Sequence, residues 1–144
     1  MNRSDFLYLG TDKETIDVVI LYPSIDNVSY VKMHATNSRE FPYVRCEEDN
    51  CELCNEGSYA LTKMWIPVYN IKEDRIQFWD RSSKFMHIAL ENIFNKYPDP
   101  SRYVFRITRH GVKGDLHTFY GLEPIAKNDI PYEDIAIRFS NYFV

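Results

Sequence analysis

Apolar residues recur at every second position in six stretches of the chain, 16–22, 28–35, 63–70, 74–80, 102–109 and 117–122. Pro, Gly, Asn and Asp punctuate the intervals, so each stretch reads as a strand bounded by turns. Asn70 followed by Lys72, Glu73 and Asp74 folds the third stretch back on the fourth as a hairpin. One segment has a helical period instead: Phe85, Ile88, Ala89, Ile93 and Tyr97 fall on a single stripe. Asp80 or Ser82 can cap its start, and Pro98 with Pro100 ends it, predicting an amphipathic helix over about 82–97. Strands, one helix, then further strands predict a mainly β protein. The expected form is an OB-like antiparallel barrel in a single domain, 1–144.

The alternation also sorts side chains into faces. In 63–70, Met64, Ile66 and Val68 point one way and Lys63, Trp65, Pro67 and Tyr69 the other. In 74–80, Ile76 and Phe78 share a face, with Arg75, Gln77, Trp79 and then Arg81 opposite. In 102–109, Tyr103, Phe105 and Ile107 alternate with Arg102, Val104, Arg106 and Thr108. Solvent-facing strands need charge, but they do not need Trp65 and Trp79. Two tryptophans interleaved with Lys63, Arg75 and Arg81 form the pattern of a base-stacking platform beside phosphate-binding cations. A cover supplied by a loop or by the C-terminal segment would turn the same face into a second core.

Composition sharpens this in one respect. Aromatics make up 15% of the chain and eleven are tyrosines, too many for all to be core, so some are expected as surface contact groups. The net charge of −4 argues against a polyanionic partner, but its distribution does not. Residues 1–60 carry five Lys/Arg against eleven Asp/Glu, while 61–123 carry ten against seven. Binding follows the local patch rather than the total. No apolar run reaches membrane-spanning length and the N-terminus lacks a signal-peptide shape, so a cytoplasmic protein with no membrane partner is expected.

The three cysteines, Cys46, Cys51 and Cys54, lie within nine residues, and His34 precedes them. Three thiolates and an imidazole complete a tetrahedral zinc shell, with the C-x-x-C turn presenting two sulfurs to one ion. A full shell leaves no place for a substrate water, so the expected Zn2+ is structural, in an inserted loop over 34–54. The odd thiol count argues against a disulfide framework. Acidic flanks (Glu47, Glu48, Asp49, Glu52) suit a cation better than a redox dithiol. A zinc deaminase would need H-x-E before its cysteines, and Ala35 and Thr36 follow His34 instead. His110 or His117 remains an alternative fourth ligand. No Gly-rich phosphate loop, nucleophile elbow or paired-carboxylate motif is present, so neither an enzyme nor a small-molecule substrate is expected. His87 reads as a packed or surface histidine of the helix. His110 opens a basic turn, 111–114, whose tip could meet a phosphate.

Taken in order, W-I-P-V-Y-N at 65–70, I-Q-F-W-D-R at 76–81, the helix, and F-R-I-T-R-H-G-V-K-G-D at 105–115 resemble phage single-stranded DNA-binding proteins. The C-E-L-C at 51–54 is similar to their zinc loop. The order His34, Cys46, Cys51, Cys54 resembles that in the helix-destabilising proteins of T-even phages. The resemblance covers about 16–123. It implies an OB-fold that coats single-stranded DNA in replication, recombination and repair, inside an infected bacterial cell, without covalent chemistry. Residue by residue it carries over to Tyr69, Trp79, Arg81, Arg106, Arg109 and Lys113.

Two features depart from that family. The extension 124–144 ends in Phe139, Tyr142 and Phe143 rather than an acidic tail, and Arg3 is the only arginine among the first twelve residues. The reading is therefore a sequence-tolerant single-stranded DNA binder, with bases on Trp65, Tyr69 and Trp79. Phosphates would lie along Lys63, Arg75, Arg81, Lys84, Arg106, Arg109 and Lys113. The alternative is a zinc-bearing interaction protein that binds a host polymerase or replisome protein through its aromatic C-terminus.

Overall fold

A computed structural model describes residues 3–22, 24–36, 43–131, 133–135 and 137. The six predicted strands form as β1 (Thr15–Ile20), β2 (Tyr30–Ala35), β4 (Ala60–Asn70), β5 (Arg75–Ser82), β6 (Tyr103–His110) and β7 (Phe119–Lys127). A seventh, β3 (Tyr43–Arg45), lies inside the segment expected to be a metal loop. The protein is thus mainly β, with all seven strands antiparallel in one sheet, ordered β3-β2-β4-β1-β6-β7, and with β5 on the other edge of β4.

β4 organises the sheet. Of its eleven residues, 63–70 pair with β5 along one edge, while β2 and β1 share the other: β2 opposite residues 60–64, β1 opposite 68–70. Pro67 stands where this second edge changes partner. Its carbonyl accepts from the Leu21 amide at 2.8 Å, so its missing N–H falls in the gap between the two ladders, where no donor is needed. The same gap exposes the Trp65 carbonyl, and the buried Tyr22 hydroxyl donates to it at 2.6 Å. Burial pushes the Tyr22 phenol pKa up, consistent with a neutral hydroxyl in that role.

The main core covers one face of the sheet. Val18 and Ile20, Met64, Ile66 and Val68, Trp79, and Phe105 and Ile107 meet Phe85, Met86, Leu90, Ile93 and Phe94 from the helical segment. On the other face Val19, Leu21, Tyr69 and Ile76 pack under Ile135. Nearby, the Phe6 ring meets Trp65 and Phe78 at 5.3 and 6.4 Å.

The helix forms close to its expected position but with a different stripe. A π-helical turn, Met86–Leu90, runs into α2 (Glu91–Lys96), and the Glu91 amide donates to the Met86 carbonyl five residues back. The wider turn advances the apolar face, so Phe85, Met86 and Leu90 are buried while Ile88 is 72% exposed. A constant 3.6-residue period cannot anticipate that shift.

The expected barrel does not close. Among the described residues β5 and β7 share no hydrogen-bonded ladder. The outer edge of β5 is taken instead by the N-terminal segment: the Leu7 amide donates to the Phe78 carbonyl at 2.8 Å, and Phe6 bridges Phe78 in parallel. Side chains span the seam between β5 and β7, with Tyr120 meeting Trp79 and Arg81. Within 124–144, β7 reaches Lys127 and Ile135 joins the second core; Phe139, Tyr142 and Phe143 lie outside the described residues. No helix among the described residues is long and apolar enough to cross a membrane.

Candidate metal centre and binding surface

His34, Cys46, Cys51 and Cys54 come together at the end of the β2–β3–β4 arm, with their ligand atoms all within 4.8 Å of one another. Local sequence explains how. Val44 and Ala60 flank His34 across the two ladders, which fixes the imidazole on β2. Cys46 follows β3, tied to β2 by its amide donating to the Lys32 carbonyl at 2.8 Å. Cys51 caps the single turn α1 (Glu52–Asn55), and Cys54 sits within it. Gly57, at φ +90°, closes that turn: its amide reaches the Cys54 carbonyl while Ser58 reaches back to Leu53. This glycine-closed cap reverses the chain. The reversal delivers Ser58 Oγ and the Tyr59 carbonyl to His34 Nδ1 at 3.0 and 3.1 Å. Nδ1 is thereby engaged, and Nε2 faces the sulfurs.

The distances test whether a metal fits. Nε2 lies 3.6 Å from Cys51 Sγ and 3.4 Å from Cys54 Sγ, and Cys46 Sγ lies 3.6 Å from Cys54 Sγ. Zinc bond lengths give tetrahedral edges of about 3.8 Å between sulfurs and about 3.5 Å between sulfur and nitrogen. The four groups can hold a metal ion, and their spacing is consistent with zinc. The thiols also disagree about protons in a way that a cation would resolve. Backbone N–H donors, Cys54 first and then Glu47, hold the Cys51 thiol pKa down at about 6. The Cys54 thiol is pushed up to about 11, first by its hydrogen bond with Cys46, then by burial and by Cys51. Three thiolates crowd one another unless a divalent charge sits between them. A further amide, from Glu48, points at Cys46 Sγ at 3.4 Å. The alternative imidazoles are elsewhere: His110 accepts from Lys13 Nζ at 3.0 Å, and His117 is exposed in the β6–β7 turn.

The expected stacking platform is rearranged. Trp65 lies opposite Asp80 and Ile66 opposite Trp79, so the two tryptophans project from opposite faces of the sheet. Trp79, 2% exposed, belongs to the main core, in edge contact with Phe85 and Tyr120. Trp65 is half-buried beside Phe6 and Phe78. Tyr69 is buried in the second core, its hydroxyl donating to Asp74. The tryptophan alternation misled because β5 is buried on both faces. Phe78 answers the N-terminal segment while Trp79 answers the core.

The cations divide as well. Arg109 is buried, and its guanidinium donates to the carbonyls of Leu9, Gly111 and Val112 at 2.9, 2.9 and 3.3 Å, which makes it the brace of the β6–β7 hairpin. Arg106 pairs in two-pronged fashion with Asp17 at 2.9 and 3.2 Å. Arg75 pairs with the buried Asp5 at 3.5 Å. Lys63 lies 3.8 Å from Asp80 and 4.4 Å from the centre of the Tyr43 ring. Lys84 and Lys113 are exposed.

Arg81 differs from all of these. Its Nε donates to the Asp80 carbonyl at 2.6 Å, and its guanidinium lies over Tyr120 at 4.3 Å and Trp79 at 5.5 Å. Its two terminal nitrogens have no hydrogen-bond partner among the described residues. Cross-strand pairing extends this face: Arg81 opposes Met64, Met64 opposes Tyr30, and Thr62 opposes Lys32. Tyr30, Lys32 and Arg81 therefore share one side of the sheet, with Tyr30 and Lys32 exposed. Tyr30, Lys32 and Tyr120 were missing from the expected site. The signal for Tyr120 was its place on the apolar parity of β7, two positions before Leu122.

Comparison with family models, with curated proteins and with solved structures finds no match to the chain.

Proposed function

We propose that the protein binds single-stranded DNA without strong sequence preference, on an open, OB-like sheet whose arm is held by structural zinc at His34, Cys46, Cys51 and Cys54. The observation that carries this reading is Arg81. An arginine fixed through Nε and by two aromatic faces keeps its fork of terminal N–H groups without a hydrogen-bond partner among the described residues. That fork suits the paired oxygens of a phosphodiester. Tyr30 and Lys32, on the same side, add a ring for stacking and a second cation, and Lys84 follows β5. The expected platform thus moves from a Trp65–Trp79 pair to the Tyr30, Lys32 and Arg81 row, with Tyr120 supporting the arginine.

Charge on the arm limits where a strand can lie. Glu47, Glu48, Asp49, Glu52 and Glu56 are all exposed around the metal centre. They repel a phosphate backbone, which directs the strand away from the tip and toward the seam between β5 and β7. The metal then has an architectural part: it fixes β2 against β4 and so sets the distance between Tyr30 and Arg81.

The test is anisotropy of labelled oligo(dT) across a salt series. Each neutralised phosphate contributes a slope of about −0.7 in log affinity against log salt. Arg81→Gln is expected to weaken binding and to make the slope shallower by about 0.7. Absence of salt-sensitive binding by the wild-type protein overturns the reading.

A further inference from the structure

The β6–β7 hairpin carries a second exposed aromatic group, on the other side of the sheet from Arg81. His110 and Phe119 are cross-strand partners, and their rings stack at 4.7 Å and 18°. Phe119 is nevertheless 61% exposed, so much of the stack is open to solvent. The hairpin is not a loose end. Arg109 holds the Gly111 and Val112 carbonyls, Asp12 accepts from the Gly111 amide at 2.8 Å, and Asp115 accepts from the His117 amide at 2.9 Å. The nearby acids are thus occupied by amides, whereas Lys13 Nζ stands 3.0 Å from His110 Nδ1 and Lys113 is exposed in the turn. A rigid, open aromatic pair bordered by lysines has the chemistry of a base-stacking site on a polyanion.

Its position links it to the first surface. Phe119 immediately precedes Tyr120, the residue beneath Arg81, and successive residues of a strand point to opposite faces. β7 is the terminal strand of the sheet. A strand leaving Arg81 reaches Phe119 by rounding the outer edge of β7, which pairs with no strand among the described residues. We propose that the His110–Phe119 pair is a second nucleobase-stacking site, taking one unpaired base of the strand that Arg81 holds by its phosphate. The proposal rests on the single-stranded DNA reading and adds a place and a direction to it.

Phe119→Ser removes the exposed ring without disturbing the core, and Phe119→Trp restores a stacking surface. With oligo(dT) long enough to span both sites, Phe119→Ser is expected to bind about five- to a hundredfold more weakly with an unchanged salt slope, and Phe119→Trp to bind as wild type. A single 2-aminopurine moved along the oligonucleotide is expected to show one position quenched by wild type and not by Phe119→Ser. Equal binding by Phe119→Ser and wild type, while Arg81→Gln is weakened, overturns the second site and leaves the first. Failure of the wild-type protein to bind the oligonucleotide overturns both.

Discussion

Residues 60–63 of β4 run through an arm on which four potential metal ligands converge, and residues 64–70 run through the hydrophobic core. The first region buries little apolar surface. Ala60, Leu61 and Thr62 are exposed, and so are Tyr30 and Lys32 beside them. In the second region Ile66, Val68 and Trp79 are almost wholly removed from water. One strand therefore runs from a cluster of four residues that could hold a metal ion at one end to hydrophobic burial at the other. A short, polar, exposed ribbon can present contact residues only if something other than a core keeps it in place.

Metal removal is the strongest way to break that contrast. Structural zinc contributes on the order of 10 kcal/mol to the folding of a small site. A chelator, or Cys51→Ser, is expected to abolish hydrogen-exchange protection in β2, β3 and the start of β4 while β1, β6 and the helix keep theirs. Metal analysis of protein purified without chelator should find one ion per chain. Collapse of the whole molecule on chelation would show that the two regions fold as one unit.

The two tryptophans test the core end. Trp79→Ala deletes a side chain packed against Phe85 and Tyr120, and a loss of about 3–5 kcal/mol is expected in urea denaturation. Trp65→Ala removes a half-exposed ring from the opposite face and is expected to cost about 1–2 kcal/mol. Equal losses would contradict their placement on opposite faces with unequal burial.

How much of this was legible in the sequence varies by region for the same physical reason. A metal-type cluster is a matter of residue type and spacing, so the convergence of His34, Cys46, Cys51 and Cys54 could be expected from the chain alone. Strand existence follows from alternation, and the core parity of Met64, Ile66 and Val68 was correct. Face assignment failed on β5, because a strand buried on both sides has no polar parity to reveal which side is the core. It failed again in the helix, where the π turn displaced Ile88. Arg109 shows a further limit. It follows Phe105 and Ile107 in parity and is buried with them. Only three-dimensional placement reveals that three backbone carbonyls satisfy its charge.

Asp80 gives the finest probe of the boundary between the regions, since it sits on β5 opposite Trp65 and beside Lys63. Burial raises its pKa above 3.8, and the charges of Lys63 and Arg81 offset this only in part. One of its oxygens, Oδ1, is buried without a hydrogen-bond partner. A carboxyl whose pKa is raised by folding favours the folded state while protonated, and that stability is lost as pH rises through the folded-state value. Below 3.8 the group is neutral whether the chain is folded or not, so wild type and Asp80→Asn should differ by a constant there. Above it, the wild type should lose stability relative to Asp80→Asn until the folded-state carboxyl is fully ionised. In melting temperatures from pH 3 to pH 7, Asp80→Asn should therefore gain on wild type as pH rises, until the folded-state carboxyl is ionised. If wild type instead gains on Asp80→Asn as pH rises, Lys63 holds Asp80 as a stabilising ion pair, and the arm and the core are joined electrostatically at this point.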